Sequence, residues 1–370
     1  MLGDYQNVIS QFDFYGRPIY IERFGQGHIN DTYALYCASE FEPPVRYILQ
    51  KINLSVFKNP EGLMKNISLV TGHIREKLIS QGKDPQREGM TLIGTKSGQS
   101  YLEQDGECWR AYVFVDSATS YQAADRPEKL YQSGRAFGRF QNLLADFDAN
   151  KLTETIPDFH NTAARLKNLK GAIQNDVCGR AVDLQKEIDF VLARESDCEV
   201  LTGLLDSGQL PLRVTHNDTK LNNVLIDNKT GEGLCVIDLD TVMPGLSLYD
   251  FGDSIRFGAN TAAEDERDLS KIGLDMALFE AFAFGFLSET GDVLTALEKQ
   301  YLAFSAKLMT LECGIRFLTD HLNGDVYFKI HRPGHNLDRA RCQFALARDM
   351  ENRMDEMTAI VGAIINRPRV

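Results

Sequence analysis

The feature that most constrains this chain is a change of hydrophobic period near residues 116–126. Before it, apolar residues fall in short strand-like runs, Ile19 to Phe24, Thr32 to Cys37 and Arg46 to Ile52. A turn carrying Gly25 and Gly27 separates the first two, and Pro43-Pro44 breaks the chain before the third. A helix is expected from Asn59-Pro60, because proline suits a first helical turn. Leu63, Ile67, Val70, Ile74 and Leu78 then recur at the helical period. Thr91 to Gly94 and Cys108 to Val115 resume the strands. Beyond the change, Pro127 to Phe147 and Val182 to Ala193 read as amphipathic helices. Short strands return between Leu212 and Ile237. Leu274 to Val361 is mostly helical, broken near Asn323-Gly324 and Pro333-Gly334. A chain of 370 residues exceeds one ordinary core. An α+β protein is therefore expected, with a small β-rich lobe over residues 1–116 and a larger helical lobe over 117–370.

Composition removes several classes of partner. The net charge of -12 leaves no basic face for a nucleic-acid backbone. The N-terminus has no basic stretch leading into an apolar core, so no signal peptide is expected. An apolar stretch such as Ala359 to Ile365 is far too short to span a bilayer, so no membrane partner is expected. The seven cysteines are scattered, odd in number and without a C-x-x-C pair. They read as reduced thiols of a cytoplasmic protein, neither a disulfide frame nor a zinc site.

The chemistry concentrates in Val214-Thr215-His216-Asn217-Asp218-Thr219-Lys220-Leu221-Asn222-Asn223-Val224. This is H-x-D-x-x-x-x-N between two short apolar strands. Downstream, the apolar run Cys235-Val236-Ile237 ends in Asp238-Leu239-Asp240. Phosphoryl transfer explains why these residue types belong together. An incoming hydroxyl needs an acceptor for its proton, which Asp218 supplies. A triphosphate such as ATP carries Mg²⁺, a hard cation that takes oxygen ligands, which Asn223 and Asp238 supply. His216 is expected to brace the loop. Asp240 is either a second metal ligand or a carboxylate that orders the loop.

Phe24-Gly25-Gln26-Gly27-His28-Ile29-Asn30 between two strands suits a phosphate-covering hairpin, since glycine lets backbone N–H groups approach phosphate closely. Lys51 is the candidate cation for the nucleotide phosphates, although Gln50 and Lys51 face opposite sides of a strand. The following helix carries Asn66 and Ser68 where a glutamate partner would be sought. The letters Asp250-Phe251-Gly252 lie behind Pro244-Gly245 and open a helix-like segment. Asp250 is accordingly read as a structural carboxylate near the catalytic loop, not a metal ligand.

These motifs resemble those of the aminoglycoside phosphotransferase and choline kinase superfamily. The longer strings FGQGHINDTY, YILQKIN, THNDTKLNNVL and VIDLDTVMPG are similar to those of N-acetylhexosamine 1-kinases. The resemblance implies a protein-kinase-like bilobal fold, ATP, Mg²⁺ and direct transfer to the anomeric hydroxyl of GlcNAc or GalNAc. It implies Asp218 as catalytic base, Asn223 and Asp238 as metal ligands, and His28, Arg316 and Tyr327 as sugar contacts. Two alternatives stay open: a kinase of another alcohol, of choline, homoserine or aminoglycoside type, and a nucleotide-binding pseudokinase.

Overall fold

The computed structural model describes residues 2–25, 29–39 and 43–367. It is a mixed α+β structure, with an antiparallel sheet in the N-terminal part and a larger helical C-terminal part. The chain divides into two compact units that interleave in sequence. One comprises residues 1–119, 146–156 and 225–244; the other comprises 120–145, 157–224 and 245–370.

The first unit is built on six strands: β1 (Arg17–Arg23), β2 (Asp31–Ala38), β3 (Val45–Ile52), β4 (Leu92–Ile93), β5 (Leu102–Gln104) and β6 (Glu107–Val113). Their order is β1-β2-β3-β6-β4, with β5 also paired to β6, and every pairing is antiparallel. Register then decides which side chains share a face. Asp31, Lys51 and Trp109 lie in one cross-strand row; Thr32, Gln50 and Arg110 lie in the next, on the opposite face. The first of these faces is the apolar one. Tyr33, Leu35, Tyr47, Leu49, Trp109 and Ala111 pack there against Val8 and Ile9 of the N-terminal helix α1 (Leu2–Ile9) and against Phe12.

Helix α2 (Pro60–Ser80) starts as its sequence dictates. Asn59 caps it by accepting from Gly62 N at 2.9 Å, and Pro60 occupies the first turn. Asn66 is fully buried in this helix. Its amide donates to Thr153 O (2.7 Å) and Val242 O (2.9 Å), and its carbonyl accepts from Thr153 N (2.8 Å). One buried amide thus fastens both later segments of the unit to α2. Arg87 makes a second fastening, to Asp227, which also accepts from Lys229 N and Thr230 N.

In the second unit, helix Pro127–Leu143 lies on helix Met276–Thr290 closely enough that side chains are excluded at the crossing. A Cβ on Gly134 would meet Phe282 O at 2.4 Å, and one on Gly285 would meet Tyr131 O at 2.2 Å. The long helix Ala296–Leu322 opens with a capping box, Thr295 and Glu298. Its other face packs Leu311, Ile315 and Leu318 against Leu166, Leu169, Ile188 and Phe344. Glu298 also receives a two-pronged contact from Arg213, at 2.6 and 2.8 Å. This fixes the strand Arg213–Thr215 that leads into the His216–Asp218 loop. No helix among the described residues is long and apolar enough to cross a membrane.

Candidate active site

In the second unit, strand Arg213–Thr215 ends directly in the loop His216–Lys220, followed by a single 3-10 turn, Leu221–Asn223. Asp250 holds this loop from beneath. Its carboxylate is buried and accepts from His216 N (3.0 Å), Asn217 N (2.8 Å) and Gln141 Nε2 (2.5 Å). Burial pushes its carboxyl up, against the neighbouring His216 and the N–H donors that favour the ionised form. Its backbone carbonyl accepts from Thr219 Oγ1 at 2.6 Å. Asp250 lies inside helix Ser247–Gly258, which is why the letters D-F-G here do not mark a metal-binding strand end. Asn217 takes a left-handed φ of 65°, a conformation that a short polar side chain tolerates. His216 is buried between the rings of Phe137 and Phe140, at 5.5 and 5.8 Å, and its Nδ1 accepts from Asp218 N.

The loop leaves the side chain of Asp218 29% exposed. Lys220 Nζ stands 2.7 Å from its Oδ1. Desolvation opposes the charge of Lys220, but Asp218 and then Asp253 outweigh it and hold the ammonium above its ordinary pKa. Asn223 Nδ2 donates to Asp218 O (2.8 Å) and Oδ2 (3.1 Å). With its amide nitrogen so committed, the carbonyl oxygen is the atom of Asn223 that could serve a hard cation.

Behind the loop lies a second set of polar groups. His160 Nε2 is 3.3 Å from Asn217 O, and His160 Nδ1 is 2.8 Å from Glu312 Oε1. Thr162 takes the other oxygen of Glu312 at 2.6 Å. Burial alone would raise the Glu312 carboxyl; the His160 imidazole outweighs it, and the carboxyl is held below the usual range. Arg316, one turn further along the same helix, lies over the rings of Phe159 (5.2 Å) and Phe328 (5.5 Å). Tyr327 is 68% exposed. The backbone around it is held by Asp320, which accepts from the N–H groups of Val326, Tyr327 and Phe328. Arg316 and Tyr327 thus belong to one neighbourhood, flanked by Phe328.

In the first unit, strand Gly233–Val236 and Ile237 deliver the two acidic residues. Asp238 is exposed and takes a left-handed conformation, φ 62° and ψ 59°, which its short polar side chain tolerates. Asp240 is buried and committed. It accepts from Asn30 Nδ2 at 2.6 Å and pairs with Arg110 Nη1 at 2.5 Å. Asp240 therefore orders its loop, and Asp238 is the solvent-exposed carboxylate of the two. Among the described residues no cluster of three or more His, Cys, Asp or Glu forms a ready-made cage. One exposed carboxylate fits Mg²⁺, which is commonly held by one or two carboxylates together with nucleotide phosphates.

Arg110 is 1% exposed, and its Nε donates to Gln50 Oε1 at 3.0 Å. Gln50 in turn donates to Thr32 Oγ1 at 3.0 Å. Burial disfavours the guanidinium charge, but Asp240 outweighs that and raises its pKa, with Asp238 adding to the effect. The face that carries Asp240 therefore presents Gln50 and Arg110. Lys51 stands on the other face, paired with Glu107 and 5.9 Å from the Trp109 ring. Its partner is a residue of β6, not of α2; the helix position where a glutamate was sought holds the fastening residue Asn66. Gly25 has the left-handed φ of 78° that a hairpin glycine provides, whereas Gly27 and His28 lie outside the described residues. Lys220, His160, Arg110, Gln50 and Asn30 were not singled out from sequence; Lys220, two residues from Asp218, is the one whose spacing alone could have flagged it.

Residues 21–281 match the phosphotransferase enzyme family, APH, and the chain belongs to that family. Its fold is shared with solved structures at low identity. A microcompartment-associated aminopropanol kinase matches at a TM-score of 0.56 and 14% identity, over 97% of this chain and 99% of that one. Amicoumacin kinase bound to AMP-PNP, Ca²⁺ and Ami matches at 0.55 and 13%, over 95% and 93%. Plasmodium vivax ethanolamine kinase matches at 0.54 and 14%, over 88% and 82%.

Proposed function

We propose that the chain transfers the γ-phosphate of ATP to the anomeric hydroxyl of an N-acetylhexosamine, GlcNAc or GalNAc, and releases the sugar 1-phosphate. The observation that carries the reading is Asp218: a part-exposed carboxylate on a loop braced by Asp250 and His216, with Lys220 and Asn223 at its side. Asp218 accepts the proton of the attacking hydroxyl, and the anomeric hydroxyl, the most acidic on the sugar, needs only a modest base. Lys220 carries a positive charge where a transferring phosphoryl group would approach Asp218. Asn223 and Asp238 each offer an oxygen ligand to Mg²⁺, which when bound neutralises charge on the nucleotide phosphates.

In this reading residues 1–116 form the nucleotide-binding lobe, with Gly25 and Gly27 over the phosphates, and 117–370 form the catalytic and substrate-binding lobe. Lys51 remains the proposed cation for the nucleotide phosphates; it is paired with Glu107 on the sheet face opposite Gln50 and Arg110. His28, Arg316 and Tyr327 contact the sugar. The choice of an N-acetylhexosamine rests on the four longer sequence strings, with Arg316 and Tyr327, which both adjoin Phe328, in support. Kinases of amino alcohols among the structural relatives support a second reading, an amino-alcohol acceptor on the same machinery.

The test is ATP consumption with Mg²⁺ by the wild type and Asp218→Asn across GlcNAc, GalNAc, glucose, choline, homoserine and kanamycin. The variant should keep its Trp109 emission and lose about 10²–10⁴-fold in kcat. A variant that turns over near the wild-type rate removes Asp218 from the mechanism.

A further inference from the structure

Both side-chain oxygens of Asp218 are already engaged. Lys220 Nζ stands 2.7 Å from Oδ1, and Asn223 Nδ2 lies 3.1 Å from Oδ2. Asn223 also donates to the Asp218 carbonyl at 2.8 Å, which ties it to the loop backbone. Lys220 is the movable partner, an ammonium on a flexible four-carbon stem. Helix Ser247–Gly258 packs against this part of the loop. Ser254 Oγ donates to Thr219 O at 2.9 Å, so the helix grips the residue before Lys220. The ring of Phe257 lies 5.9 Å from Lys220 Nζ. Asp253 stands one turn before Phe257 and shares its side of the helix. The ammonium therefore has Asp218 at contact distance and, beside it, a helix face that carries a second carboxylate. Asp253 is 6% exposed, and its Oδ1 accepts from Arg256 Nε at 2.8 Å. Arg256 is equally buried and donates through Nη1 to Glu264 Oε1 at 2.9 Å. The result is a ladder of alternating charge: Asp218, Lys220, Asp253, Arg256 and Glu264. Burial disfavours the charge on Asp253, but Arg256 and then Lys220 outweigh it and hold the carboxyl below its usual range. The loop backbone needs no second brace here, since Asp250 already holds it one turn earlier in the helix.

We infer that Asp253 is a positioning residue for the transfer: it offers Lys220 a second counter-ion, so that the ammonium can leave Asp218 Oδ1 when the acceptor hydroxyl delivers its proton there. This rests on the proposed role of Asp218 as base and adds the group that clears the base for use. In the step itself the hydroxyl oxygen bonds the γ-phosphorus, its proton goes to Asp218, and the bond to ADP breaks with the electron pair kept by ADP. Two unit charges about 6 Å apart at an effective dielectric of about 20–40 attract by a factor of about ten to a hundred, which sets the scale of the effect. Asp253 touches neither substrate in this account and acts only through Lys220.

The experiment is a double-variant cycle, read as kcat and KM, over the wild type, Asp253→Asn, Lys220→Met and Asp253→Asn/Lys220→Met. Asp218→Asn serves as the reference, and melting temperatures are taken alongside. Asparagine keeps an oxygen for Arg256 Nε and removes only the charge. Asp253→Asn should lower kcat about tenfold to a hundredfold with both KM values held. In the Lys220→Met background the same substitution should leave kcat unmoved, because no ammonium remains to be reseated. A merely structural role would carry the full loss into that background too, and would overturn the inference. Any loss of melting temperature caused at Arg256 appears in both backgrounds and cancels in the cycle. If no sugar is turned over, the cycle is read on ADP release from ATP and Mg²⁺ with water as acceptor. The same pattern there upholds Asp253 while the sugar reading falls. Turnover by Asp218→Asn near the wild-type rate, or no turnover of either kind by the wild type, overturns the base and the inference together. An additive cycle with Asp218→Asn inactive overturns the inference alone.

Discussion

Replacing Arg110 by methionine should unfold the N-terminal sheet far more readily than replacing Lys51, although both are cations on adjacent strands and each is paired with a carboxylate. Arg110 is 1% exposed and Asp240 5%. Removing the arginine leaves a carboxylate buried with, among the described residues, only the Asn30 amide to satisfy it, a defect that typically costs about 3–5 kcal/mol. It also leaves the Gln50 carbonyl without its donor. The Lys51–Glu107 pair has side chains 35% and 40% exposed, in the range where an ion pair contributes about 0–1 kcal/mol. The chain's single tryptophan, Trp109, adjoins Arg110 in β6 and is 3% exposed, so its emission reports on this sheet. With a urea dependence of about 2 kcal/mol per molar, Arg110→Met should lower the midpoint by about 1.5–2.5 M, and Lys51→Met by at most about 0.5 M. The double variant Arg110→Met/Asp240→Leu should recover much of the loss, because a buried pair replaced by apolar groups is often neutral. Equal, small shifts for Arg110→Met and Lys51→Met would refute both the buried network and the assignment of the two faces.

Three further outcomes follow from the geometry. Asp250→Asn puts an NH₂ group against one of the two N–H groups, of His216 or of Asn217, while its carbonyl keeps the other; it should cost about 1–3 kcal/mol and lower kcat, with KM for ATP held, and an unchanged kcat would show that the loop needs no brace. The Asp227 carboxyl is held down to about 2, chiefly by its hydrogen bond to Arg87 and then by Lys229 N–H and Thr230 N–H. A carboxyl depressed in the fold contributes stability above its unfolded pKa of about 3.9, so this contribution should fade between about pH 4 and 2; Arg87→Met should move the Asp227 titration upward in a carboxyl NMR experiment, and no movement would exclude the pairing. Gly285→Ala would drive a methyl to 2.2 Å from Tyr131 O, so its melting temperature should fall by several degrees, whereas Gly171→Ala, with open space at its Cβ, should not fall.

What was legible in the sequence was local. The β-like runs Thr32 to Cys37 and Arg46 to Ile52 mark two of the strands, and Asn59-Pro60 marks the start of α2 within a residue. The H-x-D-x-x-x-x-N loop is readable because its strand flanks lie beside it. Asp250 was separable from a metal ligand because a helix, not a strand, carries it. Long-range pairings were not legible. Asn30 and Asp240 are 210 residues apart, and His160 and Glu312 are 152 apart; no periodicity connects them. Lys51 shows the limit best. Alternation separates it from Gln50, but which face receives Asp240 depends on where α1 packs, and that eight-residue helix is too short to announce itself. The interleaving of the units has the same origin, since the single side chain Asn66 fastens residues 153 and 242 to α2.

The most direct test of the central claim is phosphorus NMR of the product formed from ATP, Mg²⁺ and GlcNAc or GalNAc by the purified wild type, with Asp218→Asn alongside. The account predicts a sugar phosphate resonance coupled to the anomeric proton in the wild type and its near-absence in the variant. A phosphate on another oxygen, or equal product from Asp218→Asn, would contradict it.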